Sequence, residues 1–118
     1  MALIAALVSP HLPGEDMFQH IGVLTLVETA TDEQREALAQ ALRELVGVVP
    51  GLEKASVVTD AKIREGNADV LFAMTFDTQE SWAAYGAHPA HVAVVEEHVK
   101  PVLASKVFIQ SAGPVFLS

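Results

Sequence analysis

Apolar and polar positions along this chain fall into blocks of distinct period, and the blocks predict the elements. Ile21-Gly22-Val23-Leu24-Thr25-Leu26-Val27 is short and rich in β-branched residues, so it reads as a first strand. Thr31 follows, with Gln34 placed so that the threonine caps a helix and the glutamine reaches back to it. Leu38, Ala41, Leu42 and Leu45 then recur at helical spacing and form one apolar stripe, which Gly47 and Pro50 end. Lys54 to Thr59 reads as a second strand, and Ala61 to Ala68 as a polar loop. Val70-Leu71-Phe72-Ala73-Met74-Thr75-Phe76 is nearly apolar on both faces, the mark of a central strand. Asp77-Thr78 opens a helical segment through Tyr85. His88-Pro89 breaks it, because the residue before a proline avoids the helical region. Pro89 suits the first turn of a further helix reaching about Lys100, with Val92, Val95 and Val99 on its apolar side. Pro101 predicts a kink or a tighter turn. Lys106 to Gln110 is the last strand, and Ser111 to Ser118 is an apolar tail.

The order is β-α-β-β-α-β, an α+β chain of the ferredoxin-like kind with an antiparallel four-stranded sheet. A chain of 118 residues holds one domain. We place it at 19–112, after an arm at 1–18 and before a tail at 113–118. Two helices cover one face of such a sheet. Strand Val70–Phe76 puts Val70, Phe72, Met74 and Phe76 on one side and Leu71, Ala73 and Thr75 on the other, so neither side looks solvated. A homodimer that covers the open face is therefore expected. Met1 to Val8 is an apolar octamer, joined by a segment with two prolines and a glycine. It lacks the positive region of a signal peptide and reads as part of the mature, cytoplasmic protein. It is expected to pack on the partner subunit or over a pocket mouth.

Composition narrows the function classes. Seven Lys and Arg against fifteen Asp and Glu give a net charge of −8, which repels phosphate and disfavours nucleic acid and anionic membrane surfaces as partners. There are no cysteines, which excludes disulfides, thiolate metal sites and cysteine nucleophiles. No apolar run is long enough to span a membrane. The glycines are scattered rather than grouped into a phosphate loop, and no serine stands in a nucleophile elbow.

Five histidines are the most informative polar feature. Tyr85, His88 and His91 gather at one helix–helix corner, where an imidazole titrating near neutrality and a phenol donating to an oxyanion could do acid–base chemistry. Each also has a structural reading. His88 suits a corner residue, His91 a satisfied buried histidine, and Tyr85 and Trp82 core or interface packing. His98 is a turn or more away from His91, and too few ligands converge for a metal site to be expected.

His20-Ile21-Gly22-Val23-Leu24-Thr25-Leu26, Val48-Val49-Pro50-Gly51-Leu52 and Tyr85-x-x-His88-Pro89-Ala90-His91-Val92 with Val99-Lys100-Pro101-Val102 resemble the stress-responsive A/B barrel domain family, Dabb, over about 19–112. The resemblance implies a ferredoxin-like dimer whose sheets form a shared barrel. It extends to olivetolic acid cyclase-like members, which close a linear polyketide by an aldol-type condensation without metal or organic cofactor. By motif position it implies Tyr85 and His91 as the catalytic pair and His20 as a cavity residue. Where those members carry a further histidine on the third strand and a tyrosine on the first helix, this chain has Val70 or a close neighbour, and Leu42.

Two classes of function follow. One is a small cofactor-free cyclase or lyase acting on a carbonyl-rich, polyketide-like ligand. His91 and Tyr85 would do the chemistry, His20 and His88 would orient the polar end, and Leu42, Val70, Phe72, Met74 and Trp82 would line the apolar end. The other is a non-catalytic stress-response dimer, or a module that binds a small apolar ligand without turnover.

Overall fold

A computed structural model of the chain describes residues 17–113. Residues 1–16 of the arm, its apolar octamer among them, and the tail beyond Gly113 lie outside these residues, and Phe18 belongs to β1 rather than to the arm. The elements run β1 (Phe18–Leu26), α1 (Asp32–Arg43), β2 (Leu52–Thr59), β3 (Val70–Phe76), α2 (Gln79–Tyr85), α3 (Pro89–Val94), a π-helical turn over Val95–Val99, and β4 (Leu103–Ser111). The four strands form one antiparallel sheet in the order β2-β3-β1-β4.

Pairing lengthens the outer parts of the predicted strands. β1 begins at Phe18 rather than Ile21, and β4 spans Leu103–Ser111 rather than Lys106–Gln110. β1 lies between β3 and β4, so the ladders extend as far as both neighbours offer partners. The predicted helix from Pro89 to Lys100 ends differently. Beyond Val94 it widens into a π turn, with Lys100 N–H donating to the Val95 carbonyl at 2.9 Å. Pro101 has no N–H to continue the ladder, and the chain turns into β4.

Local chemistry explains the helix starts. Thr31 Oγ1 accepts from Gln34 N at 3.1 Å while Gln34 Oε1 accepts from Thr31 N at 2.8 Å, the predicted capping box. Thr78 caps α2, and His88 caps α3 through Nδ1, which accepts from Ala90 N at 3.1 Å. Gly51, at φ +82, turns the chain into β2, and its carbonyl accepts from Asp77 N at 2.9 Å.

The strand registers sort the sheet into two faces. The inner face, under the helices, carries Val70, Phe72, Met74 and Phe76 of β3 beside Leu24, Gly22, His20 and Phe18 of β1. Leu38, Ala39 and Leu42 of α1 and Tyr85 of α2 join this core. The outer face carries two apolar rows, Val58–Leu71–Val23–Val107 and, one step along, Ala73–Ile21–Ile109. Val58, Val107 and Ile109 remain 58%, 67% and 61% exposed.

Gly22 is needed where it stands. A Cβ there would overlap the Phe72 ring and lie 2.8 Å from Phe108 Cδ1. Both rings lie across the glycine at a centroid separation of 6.0 Å. Gly22→Ala is expected to displace a ring and to destabilise the fold by about 1–3 kcal/mol. Urea denaturation of the variant beside the wild type measures this.

Candidate active site

Between the inner sheet face and the helices over it lies a cavity of about 810 Å³. α2 and α3 form its roof with Trp82, Tyr85 and His91. β1 and β3 supply His20, Leu24 and Phe72, and β4 supplies Lys106, Phe108 and Gln110. The π turn and the residues after it add Val95, Val99 and Lys100, and Leu42 reaches in from α1.

The corner at His88-Pro89 folds Tyr85 and His91 against each other, with ring centroids 4.1 Å apart. Tyr85 ends α2 and is 4% exposed, packed on Phe76 at 5.1 Å. Its burial pushes the phenol well above its ordinary pKa, so it stays a donor. His91 lies in the first turn of α3, and its Nδ1 donates to the Gly86 carbonyl at 3.2 Å. That bond leaves Nε2 unprotonated. Burial lowers the His91 pKa, the Gly86 carbonyl opposes that, and the neighbouring His88 lowers it further. The imidazole is therefore kept neutral chiefly by desolvation.

His20 forms the floor. It packs on Phe108 at 5.0 Å and Phe72 at 5.3 Å, with Trp82 and Tyr85 farther off at 6.1 and 6.4 Å. Gln110 Nε2 donates to its Nδ1 at 2.9 Å, so the ring proton sits on Nε2. Burial, with a smaller contribution from His91, lowers its pKa to about 4. Two neutral imidazoles, one with a free lone pair and one with a free N–H, thus flank a phenol donor.

Other predicted residues are placed elsewhere. Val70 and Met74, 2% and 0% exposed, are packed in the core and do not line the cavity: they share the inner face of β3 with Phe72, but they stand opposite Leu24 and His20, whereas Phe72 stands opposite Gly22 and its ring crosses the glycine into the cavity. His88 lies outside the cavity wall, its Nδ1 engaged in capping α3. His98 lies in a surface groove with Gln34 and Pro101. Among the described residues no group of three or more His, Asp or Glu side chains could hold a metal, and no helix is long and apolar enough to cross a membrane. The reading of the sequence missed Phe108, Gln110, Lys106 and Lys100. The alternation Lys106, Phe108, Gln110 along the last strand marks one shared face, but not which face the helices cover.

The family model described as Stress responsive A/B Barrel Domain matches residues 18–111. A dimeric ferredoxin-like protein of unknown function from Thermobifida fusca superposes with a TM-score of 0.72 at 28% identity, covering 87% of this chain and 97% of its own. Hydroxynitrile lyase from Passiflora edulis superposes with a TM-score of 0.70 at 14% identity, covering 82% of this chain and 93% of its own. A putative antibiotic biosynthesis monooxygenase from Chloroflexus aurantiacus does so at 0.64 and 23% identity, covering 87% and 97%. No curated protein sequence matches the chain at a significant level.

The depressed His20 pKa carries a stability prediction. The folded ring takes up a proton only near pH 4, the unfolded one near 6.5. As pH falls between those values the unfolded chain binds more protons. The stabilisation is complete above about 6.5 and is lost toward 4, with His91 acting in the same direction. The loss from His20 should be on the order of 2 kcal/mol, below the full-shift value because the ring retains contact with the water-accessible cavity. Urea midpoints from pH 7 down to 4 should show the fall, and His20→Gln should flatten it.

Proposed function

The chain belongs to the stress-responsive A/B barrel domain family, and from that premise we propose that it is a small enzyme doing acid–base chemistry on a carbonyl-rich, polyketide-like ligand. The observation that carries the reading is the contact of Tyr85 with His91 on the cavity wall. There the Gly86 carbonyl fixes the imidazole proton on Nδ1 and leaves Nε2 free. A cavity of 810 Å³ with an apolar body and a few convergent polar groups fits a small-molecule site.

His91 Nε2 takes a proton α to a ligand carbonyl and becomes imidazolium. The electron pair moves into the carbonyl, and the oxygen that gains charge accepts a hydrogen bond from the Tyr85 hydroxyl. The resulting enolate carbon attacks a second carbonyl of the same ligand and forms a carbon–carbon bond. The new alkoxide then takes the proton back from His91. The product is an isomer of the substrate, a cyclic β-hydroxy ketone, and nothing is oxidised or reduced. His20 Nε2–H orients the polar end, and Leu42, Phe72, Trp82 and Phe108 hold the apolar body.

The first half of this sequence can be tested without knowing the natural substrate. Aryl alkyl ketones are incubated in deuterium oxide and exchange of the α proton is followed by NMR. His91→Ala should slow exchange by at least about 10²-fold. Tyr85→Phe should slow it by about 10²–10³-fold while ligand binding persists. The acid limb of the rate profile should lie below the ordinary imidazole range, because His91 protonates late. Folded variants that keep wild-type exchange would overturn the reading. Binding without exchange by the wild type would favour a carrier module.

The same reading includes a homodimer joined through the outer sheet face. The two apolar rows there support it, as does the description of the Thermobifida fusca protein as dimeric. Ile109→Glu would place an unpaired charge in that interface. Sedimentation at micromolar concentration should find a dimer for the wild type and a monomer for the variant. A wild-type monomer would sink the idea.

A further inference from the structure

The chain is poor in cations, with seven Lys and Arg against fifteen Asp and Glu, yet two of the seven line this one cavity. Among the described residues no Asp or Glu lines it. A random share of an acidic surface would have put carboxylates on the wall before lysines. Lys106 and Lys100 come from different elements, so their joint presence is not a local run of charge. We propose that the ligand carries a carboxylate at one end, seated at Lys100 and Lys106, with its carbonyl end at Tyr85 and His91. This rests on the cavity being the ligand site and adds the ligand's charge and polarity.

The backbone builds both cationic positions. On the inner face of β4, Gln110, Phe108 and Lys106 follow one another at every second residue, opposite His20, Gly22 and Leu24 of β1. Polar, aromatic and cationic positions are thus laid out in that order along one strand. From Gln110 to Lys106 is about 13 Å at the strand rise. The Lys106 ammonium lies 5.3 Å from the Phe108 ring centroid, so the charge stays over the apolar wall. Lys100 follows the π turn. With its N–H bonded to the Val95 carbonyl rather than one residue later, the turn is wider, and Lys100 joins Val95 and Val99 on the cavity side.

Glu96 is the counter-charge. Its Oε2 lies 2.5 Å from Lys100 Nζ in an exposed pair, and Glu96 itself does not line the cavity. A ligand carboxylate would share or displace it, at small cost for an exposed pair. The occupant implied is an elongated keto acid: a carbonyl end, an apolar or aromatic middle, and a carboxylate at the far end.

Trp82 is the only tryptophan and lines the cavity, so its fluorescence reports occupancy directly and without turnover. The probes are aryl-ketone fatty acids of graded chain length and their primary amides, titrated at low salt. The acid of matching length should bind at least about 10-fold more tightly than its amide, and the preference should shrink at high salt. The double variant Lys100→Gln, Lys106→Gln should abolish the preference while still binding the amide, which also shows that it folds. Restoring charge with arginine at both positions should restore the preference. Glu96→Gln should tighten the acid and not the amide. Equal binding of acid and amide to the wild type, or a preference that survives the double variant, would overturn the proposal and leave the ligand cavity standing. No fluorescence response to any member of the series would overturn both.

Discussion

The helical layer does not cover the whole inner face of the sheet. α1 packs on β2, and α2 packs on β1 and β3, while the end of α3 faces β4 across open space. The helices sit over β2, β3 and β1, so the layer stops short of β4 at the far edge. Phe108, although on the inner face, is 41% exposed. That uncovered strip is the cavity. Its floor is whatever the inner positions of β1 and β4 carry, and its roof is whatever the α2–α3 corner presents.

The corner gives the roof its chemistry. A proline at the start of α3 forces a break after Tyr85, and His88 satisfies the new helix start with its own ring nitrogen. The break leaves the Gly86 carbonyl unused by a helix, and His91 turns back to it. A single irregularity thus places the His91 imidazole, fixes its tautomer and brings it against the phenol. Burial then keeps the imidazole neutral and the phenol protonated, the two states the proposed reaction requires.

The floor follows a similar logic from the sheet. Gly22 has no side chain, so Phe72 and Phe108 cross it and bracket His20. Gln110 lies directly across the ladder from His20 and donates to its ring. The strand register therefore decides the protonation pattern of the floor.

The sequence alone determined the element order, the capping box at Thr31, the break at Pro89 and the identity of Tyr85, His88 and His91 as neighbours at one corner. These depend on short-range rules: side-chain period, caps and proline sterics. It also foreshadowed the family, because the corner motif is contiguous. Only the tertiary structure decided which of the nominated residues share a cavity. Val70 and Met74 have the same apolar pattern as Phe72, but only Phe72 stands opposite a glycine, over which its ring reaches the cavity. Gln110 and Lys106 are about ninety and eighty residues from His20 and Leu24, respectively, and meet them only through the β1–β4 register. The widened turn that sets Lys100 beside Val95 is likewise invisible in a periodic reading, since the residues there fit an α-helix as well as a π turn. Local patterns specify elements; long-range pairing and partial coverage of the sheet assign their faces to core, cavity or solvent.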